Sequence, residues 1–301
     1  MSSLVDRSGW RPRRPSRHAE RYALRVRFTF LGTGTSAGVP AIGCACPVCS
    51  SDDPRDRRLR TSACLRWTDP GGRPRTLLLD AGPDLRQQAL RERLDRLDSI
   101  LITHNHVDHV FGLDEVRRFN AVMNAPIDVH AEPRVLDDLR RVYRHIFEPE
   151  RNVQRSFVAS LIPHAVGPAE PFDLHGLRIT PLRLLHGRLP VLGYRIDATP
   201  PLGAPFLPLA WCTDVSAIPP ETWPHLRGLG TLVLDALRHR HHPTHFTLGQ
   251  AVSVAHELAA GRTFFVHMSH DLAHADTNAD LPEGMSLAHD GLTLGPDGPR
   301  P

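Results

Sequence analysis

Residues 103–112 read THNHVDHVFG and follow directly on the apolar run SILI. No other stretch limits the fold of this chain as much. His104 and His106 are two residues apart, so on an extended segment both side chains point the same way. Asp108 and His109 come next, as the chain leaves the strand. Four potential ligands in six residues can serve two adjacent cations. Imidazole nitrogen suits zinc, manganese or iron, and a carboxylate adds negative charge and can orient a bound water. A polar surface loop is the plain alternative, but it requires neither this spacing nor a strand in front of it.

Other strand-like runs also end in ligand residues. LRITPLRLLH ends at His186, LAWCTD at Asp214 and TFFVH at His267. Any one of these alone would be weak, because a lone His or Asp at a strand end is more often a hydrogen-bonded structural residue. Further strands are expected at VRFTFLG, TSACLRW, RTLLLDAG, VLGYRID, TLVLDAL and MSLAHDGLTL. Helices are expected at PDLRQQALRERL, GLDEVRRFNAVM, EPRVLDDLRRVYRHIF and from about Thr247 to Ala260. Residues 148–175 read as an irregular excursion. Strands come first in meander-like groups and later alternate with helices. That order suits an α+β, αββα sandwich, with two mixed β-sheets flanked by helices.

The chain of 301 residues shows no internal repeat and no dividing linker, so one domain is expected over residues 26–295. Residues 1–25 carry Arg7, Arg11, Arg13, Arg14, Arg17, Arg21 and Arg25 against Asp6 and Glu20, and read as a disordered, solvated basic leader. Residues 296–301 are a Pro/Gly tail. No apolar stretch follows Arg13-Arg14, which argues against export, and no apolar run approaches the ~18 residues of a membrane span. A cytoplasmic location is expected. The chain contains no lysine, which excludes lysine-based catalysis.

Cys44, Cys46 and Cys49 lie together in GCACPVC. Three thiols cannot all pair, and a closed zinc site wants a fourth ligand. Without a secretion signal a metal site is favoured over a disulfide framework. His270 and His274, in HMSHDLAH, are both within reach of the role in the bare sequence. Cys64 and Cys212 sit among apolar residues and read as buried.

HNHVDH matches the HxHxDH signature of the metallo-β-lactamase-fold hydrolases, and His186, Asp214 and His267 follow in that family's order. The resemblance covers roughly residues 26–295. It implies one divalent metal on His104, His106 and His186, a second on Asp108, His109 and His267, and Asp214 bridging them, with zinc or manganese as the ion. FLGTGTSAGVPAIGCACPVC resembles the opening of PhnP-type phosphodiesterases, and less closely that of PqqB proteins. The PhnP resemblance implies a structural zinc on Cys44, Cys46, Cys49 and His270. It also implies a general acid in HHPTHFTL, for which His245 is the candidate and His242 the alternative. Asp80, in LLLDAGPD, is expected to support a ligand rather than to bind metal.

The implied activity is hydrolysis of a small cyclic phosphate, such as 5-phosphoribosyl 1,2-cyclic phosphate or a cyclic nucleotide, by hydroxide activated on the metals. Asp108 and His245 would be the catalytic side chains. The implied partner is that small phosphodiester; neither nucleic acid nor a membrane is expected, and a homodimer is left open. A tRNA 3′-processing nuclease of the same fold and a PqqB-like biosynthetic protein are the alternatives.

Overall fold

The computed structural model describes residues 26–154 and 157–295; the basic leader and the Pro/Gly tail lie outside the described residues. The chain starts as a meander of β1 (Arg27–Gly32), β2 (Ser62–Thr68) and β3 (Pro74–Leu79). Alternation sends Phe28, Phe30, Leu65, Trp67, Leu77 and Leu79 into the central core, and Cys64 and Leu78 to the opposite, helix-covered face. Helix α1 (Leu85–Arg91), β4 (Ser99–Leu101), α2 (Arg117–Met123), β5 (Ile127–Ala131), α3 (Pro133–Val142) and β6 (Leu161–Ala165) follow. Pro133 opens α3 where no helical N–H is needed, and Val135, Leu136 and Leu139 form its buried face.

The second half contributes β7 (Phe172–Leu174), β8 (Leu177–His186), β9 (Leu189–Ala198), β10 (Leu209–Cys212) and β11 (Thr231–Asp235). Helix α4 (Leu248–Leu258) comes next, then β12 (Arg262–Val266), α5 (His274–Asp280), β13 (Met285–Leu287) and β14 (Thr293–Leu294). A capping box between Thr247 and Gln250 starts α4. One sheet has the order β14-β1-β2-β3-β4-β5-β6, the other β13-β12-β11-β10-β9-β8-β7. Apolar side chains of both pack between them, Phe28 against Trp211 and Phe30 against Phe264 among others. This is the expected sandwich of two mixed sheets.

Two expectations need correcting. The region read as irregular holds β6 and β7. Strand β6, LIPHA, has Pro163 and a mostly solvated surface, as an edge strand can, and so lacks the apolar signal of a buried strand. MSLAHDGLTL is not one strand: Met285–Leu287 pairs with β12 in one sheet and Thr293–Leu294 with β1 in the other. In addition, GLDEVRRFNAVM begins as a 3-10 turn over Leu113–Val116 before α2.

Strands β3 to β6 run parallel, and so do β10 to β13. Their carboxyl ends therefore form one rim on each sheet. Loops on that rim approach closely: a Cβ on Gly82 would lie 2.1 Å from the Asp108 carbonyl oxygen. Gly82→Ala is expected to destabilise the fold by about 3 kcal/mol. Gly249→Ala, on α4 with nothing within 4 Å, is expected to be neutral or to stabilise by ~0.5–1 kcal/mol. Chemical denaturation of the pair checks both.

Candidate metal centre

The rim gathers residues that are far apart in the chain. The segment after β4 brings His104 and His106, and a four-residue helical turn, Val107–Val110, brings Asp108 and His109. His186 is the last residue of β8, Asp214 lies two residues past β10, and His267 directly follows β12. Asp80, Asp214 and His267 all have positive φ, of 60°, 55° and 60°. Such backbone is costly for residues with a side chain, and here it turns three functional groups in at strand ends.

Two donor groups result. His104, His106, His186 and Asp214 form one, and Asp108, His109, Asp214 and His267 the other, with the donor atoms of each within 4.8 Å of one another. Asp214 belongs to both. Its carboxylate lies 3.1 Å from His109 Nε2, 3.3 Å from His267 Nε2 and 3.8 Å from His104 Nε2. Those three nitrogens are nevertheless buried without a hydrogen bond of acceptable geometry. Their lone pairs converge on shared space rather than on a proton donor, and buried imidazoles left in this way suit cations. The residues present therefore fit divalent metals.

Electrostatics agree. Burial works to raise the Asp214 carboxyl, but His267 and His109 outweigh it and hold the group well below the usual carboxylate range. Burial works to lower His267, yet Asp214 and Asp108 push it up to about 9. The carboxylates thus demand positive charge on the neighbouring rings or between them. His104 moves the other way, held well below its ordinary value by burial and then by His109.

The ligand candidates are fixed from behind. His109 Nδ1 is 2.9 Å from Asp80 Oδ2, and Thr103 Oγ1 donates to the same carboxylate at 2.9 Å. This is the supporting place expected for Asp80. His186 Nδ1 meets the Thr244 carbonyl at 2.7 Å, and the Thr213 hydroxyl donates to Asp214 at 2.8 Å. The carboxylates of the two donor groups and of Asp80 differ in access. Asp108 has 12% of its side chain exposed, against 2% for Asp214 and 0% for Asp80, so only Asp108 reaches solvent.

His245 is buried, its ring 4.5 Å from that of His186 and 4.7 Å from that of His267, stacked on the latter. His245 Nδ1 is 2.6 Å from Asp235 Oδ2, which also accepts the Val215 N–H at 2.8 Å. Asp235 escaped the sequence reading. Its signal was there in TLVLD, another strand closing on an acid, but no motif singled it out. His242 stands beside His245 with its Nδ1 engaged by Thr244. Arg238 braces its own loop through the carbonyls of Arg240 and His241.

The cysteine loop forms a separate group. His270 Nδ1 lies 3.2 Å from Cys44 Sγ, 3.6 Å from Cys46 Sγ and 3.2 Å from Cys49 Sγ. A tetrahedral zinc with Zn–S of ~2.3 Å and Zn–N of ~2.0 Å has S···N edges of ~3.5 Å. The set fits that ion, and backbone N–H groups of Ala41 and Cys49 point at Cys49 and Cys46 sulfurs. His274 is not part of the set; it packs beside His289 and donates its backbone N–H to Asp56.

Residues 75–268 match the family described as Beta-lactamase superfamily domain. The chain belongs to that superfamily, as a hydrolase of the metallo-β-lactamase fold. Within it the affiliation is with the PhnP type: a structure described as a new diphosphatase from the PhnP family is 42% identical, with a TM-score of 0.78, covering 90% of this chain and 96% of that one. Zinc-bound PqqB from Methylobacterium extorquens shares the fold at 22% identity and a TM-score of 0.69, covering 89% of this chain and 99% of that one. A protein named octanoyltransferase from Porphyromonas gingivalis (strain ATCC BAA-308 / W83) is 37% identical over 269 residues, 89% of this chain. The chain spans about half, 51%, of that relative's length. No described helix is long and apolar enough to cross a membrane.

His270→Ala is expected to lose one equivalent of bound metal and to lower the melting temperature. The remaining metal should stay, because the two rim groups keep all their donors. Elemental analysis with calorimetry checks this.

Proposed function

We propose that this protein hydrolyses a small phosphoric ester, a cyclic phosphate first among candidates. Two divalent cations, zinc or manganese, would be held by the two rim groups, with Asp214 common to both, and a third, structural zinc by the cysteine loop and His270. Bound there, the rim cations would supply an activated water and a clamp on phosphoryl oxygens.

The observation that carries the reading is the Asp235–His245 pair, 2.6 Å apart, set between the rings of His186 and His267. Asp235 takes the Nδ1 side of His245 and fixes the ring. Nε2 is the nitrogen left for a substrate, and it donates a proton to the departing oxygen. Asp108, the more exposed of the two carboxylates in the donor groups, accepts a hydrogen bond from the attacking water and orients it. An ester releases an alkoxide, which needs that proton. A diphosphate releases phosphate, which needs it far less. The pair thus favours an ester, while the diphosphatase described among the relatives supports a diphosphate linkage as the second reading.

Leaving-group dependence tests this. His245→Ala is expected to reduce turnover of a 2′,3′-cyclic nucleotide by ~10²–10⁴-fold while metal content is unchanged. With a p-nitrophenyl ester, whose leaving group departs unaided, the loss should be under about tenfold. Asp235→Asn should follow His245→Ala in direction. Equal losses on both substrates would remove His245 from the proton-donor role. A panel that adds a diphosphate diester and a tRNA precursor completes the test. Preference for the diphosphate supports the second reading, and cleavage of the tRNA alone overturns both.

A further inference from the structure

The sandwich has a second recess, at the end of the first sheet away from the rim. It is a cavity of about 760 Å³ whose lining includes Arg27, Arg66, Arg75 and Arg96. Arg75 is five residue steps along the strand from Asp80, so this recess lies ~17 Å from the candidate metal centre. Its volume falls in the range of small-molecule sites, ~300–1,000 Å³.

Charge in the wall is uneven. Arg75 is matched by Asp69 and Asp98, at 2.9 Å each, and Arg96 shares Asp98 at 2.7 Å. Asp69 also lies 3.4 Å from Arg73, so three arginines share two carboxylates there. Among the described residues Arg66 has no carboxylate partner: its Nη1 reaches only the Glu92 carbonyl at 3.4 Å, and its Nε is buried without a partner. Among the described residues Asp95 is the only carboxylate in the lining. A half-buried guanidinium with a buried, unbonded N–H has lost hydration without gaining an acceptor. Its planar fork suits a tetrahedral oxyanion. Thr68 and Thr76 line the same recess.

We infer that this recess binds the phosphate of a small phosphorylated molecule, at a site distinct from the metal centre. Arg66 is its anchor. A polynucleotide is disfavoured, because a continuous basic track is what tracks a backbone. Here Asp95 and the exposed apolar Val122 interrupt the lining. The site does not depend on which reaction occurs at the rim.

The test is a titration of the isotope-labelled, metal-loaded enzyme with inorganic phosphate and with adenosine 5′-monophosphate, read by NMR. The amides of 66–68 and 75–76 are local reporters. Saturable shifts at these positions are expected, with a Kd below ~1 mM for the nucleotide. Arg66→Ala should weaken binding at least tenfold and leave kcat/KM on a p-nitrophenyl ester within about twofold. Arg66→Gln keeps the stem and a polar head, so it controls for lost packing, and it must lose binding too. Shifts confined to residues 104–109 would report binding at the rim and overturn the inference. So would shifts in the recess that neither Arg66 variant reduces, or shifts there with an RNA oligonucleotide but not with phosphate or the nucleotide.

Discussion

The burial of the Asp214 carboxylate is the constraint on which the rim depends. A charge buried at the rim of two apolar sheets is costly unless it is closely compensated. Here compensation comes from His104, His109 and His267, all buried, and from the Thr213 hydroxyl. No single segment could supply these groups. They come from the ends of three strands, and a strained backbone aims both Asp214 and its partner His267 inward. The sandwich is what makes the cluster affordable, because its parallel strands deliver their carboxyl ends to one place.

Position is then enforced by contacts behind the cluster. Asp80 holds His109, Gly82 lets its loop lie against the backbone of Asp108, and Thr33 and Thr35 exchange backbone hydrogen bonds with Met268, next to His267. Arg58 is wholly buried and donates to the carbonyls of Ser269 and Leu272, on either side of His270. The loop with two candidate ligands, His267 and His270, is therefore held on several sides. This rigidity suits a site whose donors must stay in place when charge is added or removed.

Much of this was legible in the sequence. HNHVDH, His186, Asp214 and His267 each close an apolar run, so ordinary strand signals located them, and the structure brings them together. The GCACPVC loop announced a missing partner, and His270 lies beside it. What the sequence hid had physical reasons. Asp235 meets His245, ten residues on, only in the folded chain, and a pairing made by tertiary structure leaves no local spacing to read. Strand β6 is a solvated edge containing Pro163, without the alternation that marks a half-buried strand. MSLAHDGLTL looked continuous because its two short strands, on different sheets, are joined by a tight turn.

The pairing of β1 with β14 sets Phe28 opposite Leu294, antiparallel. The described chain therefore begins and ends side by side, on the far side of the sandwich from the rim. A second domain could be joined at either terminus, or at both, without shadowing the mouth of the metal centre. In that respect the fold is a ready module for gene fusion, open to attachment at its base while its working face stays free.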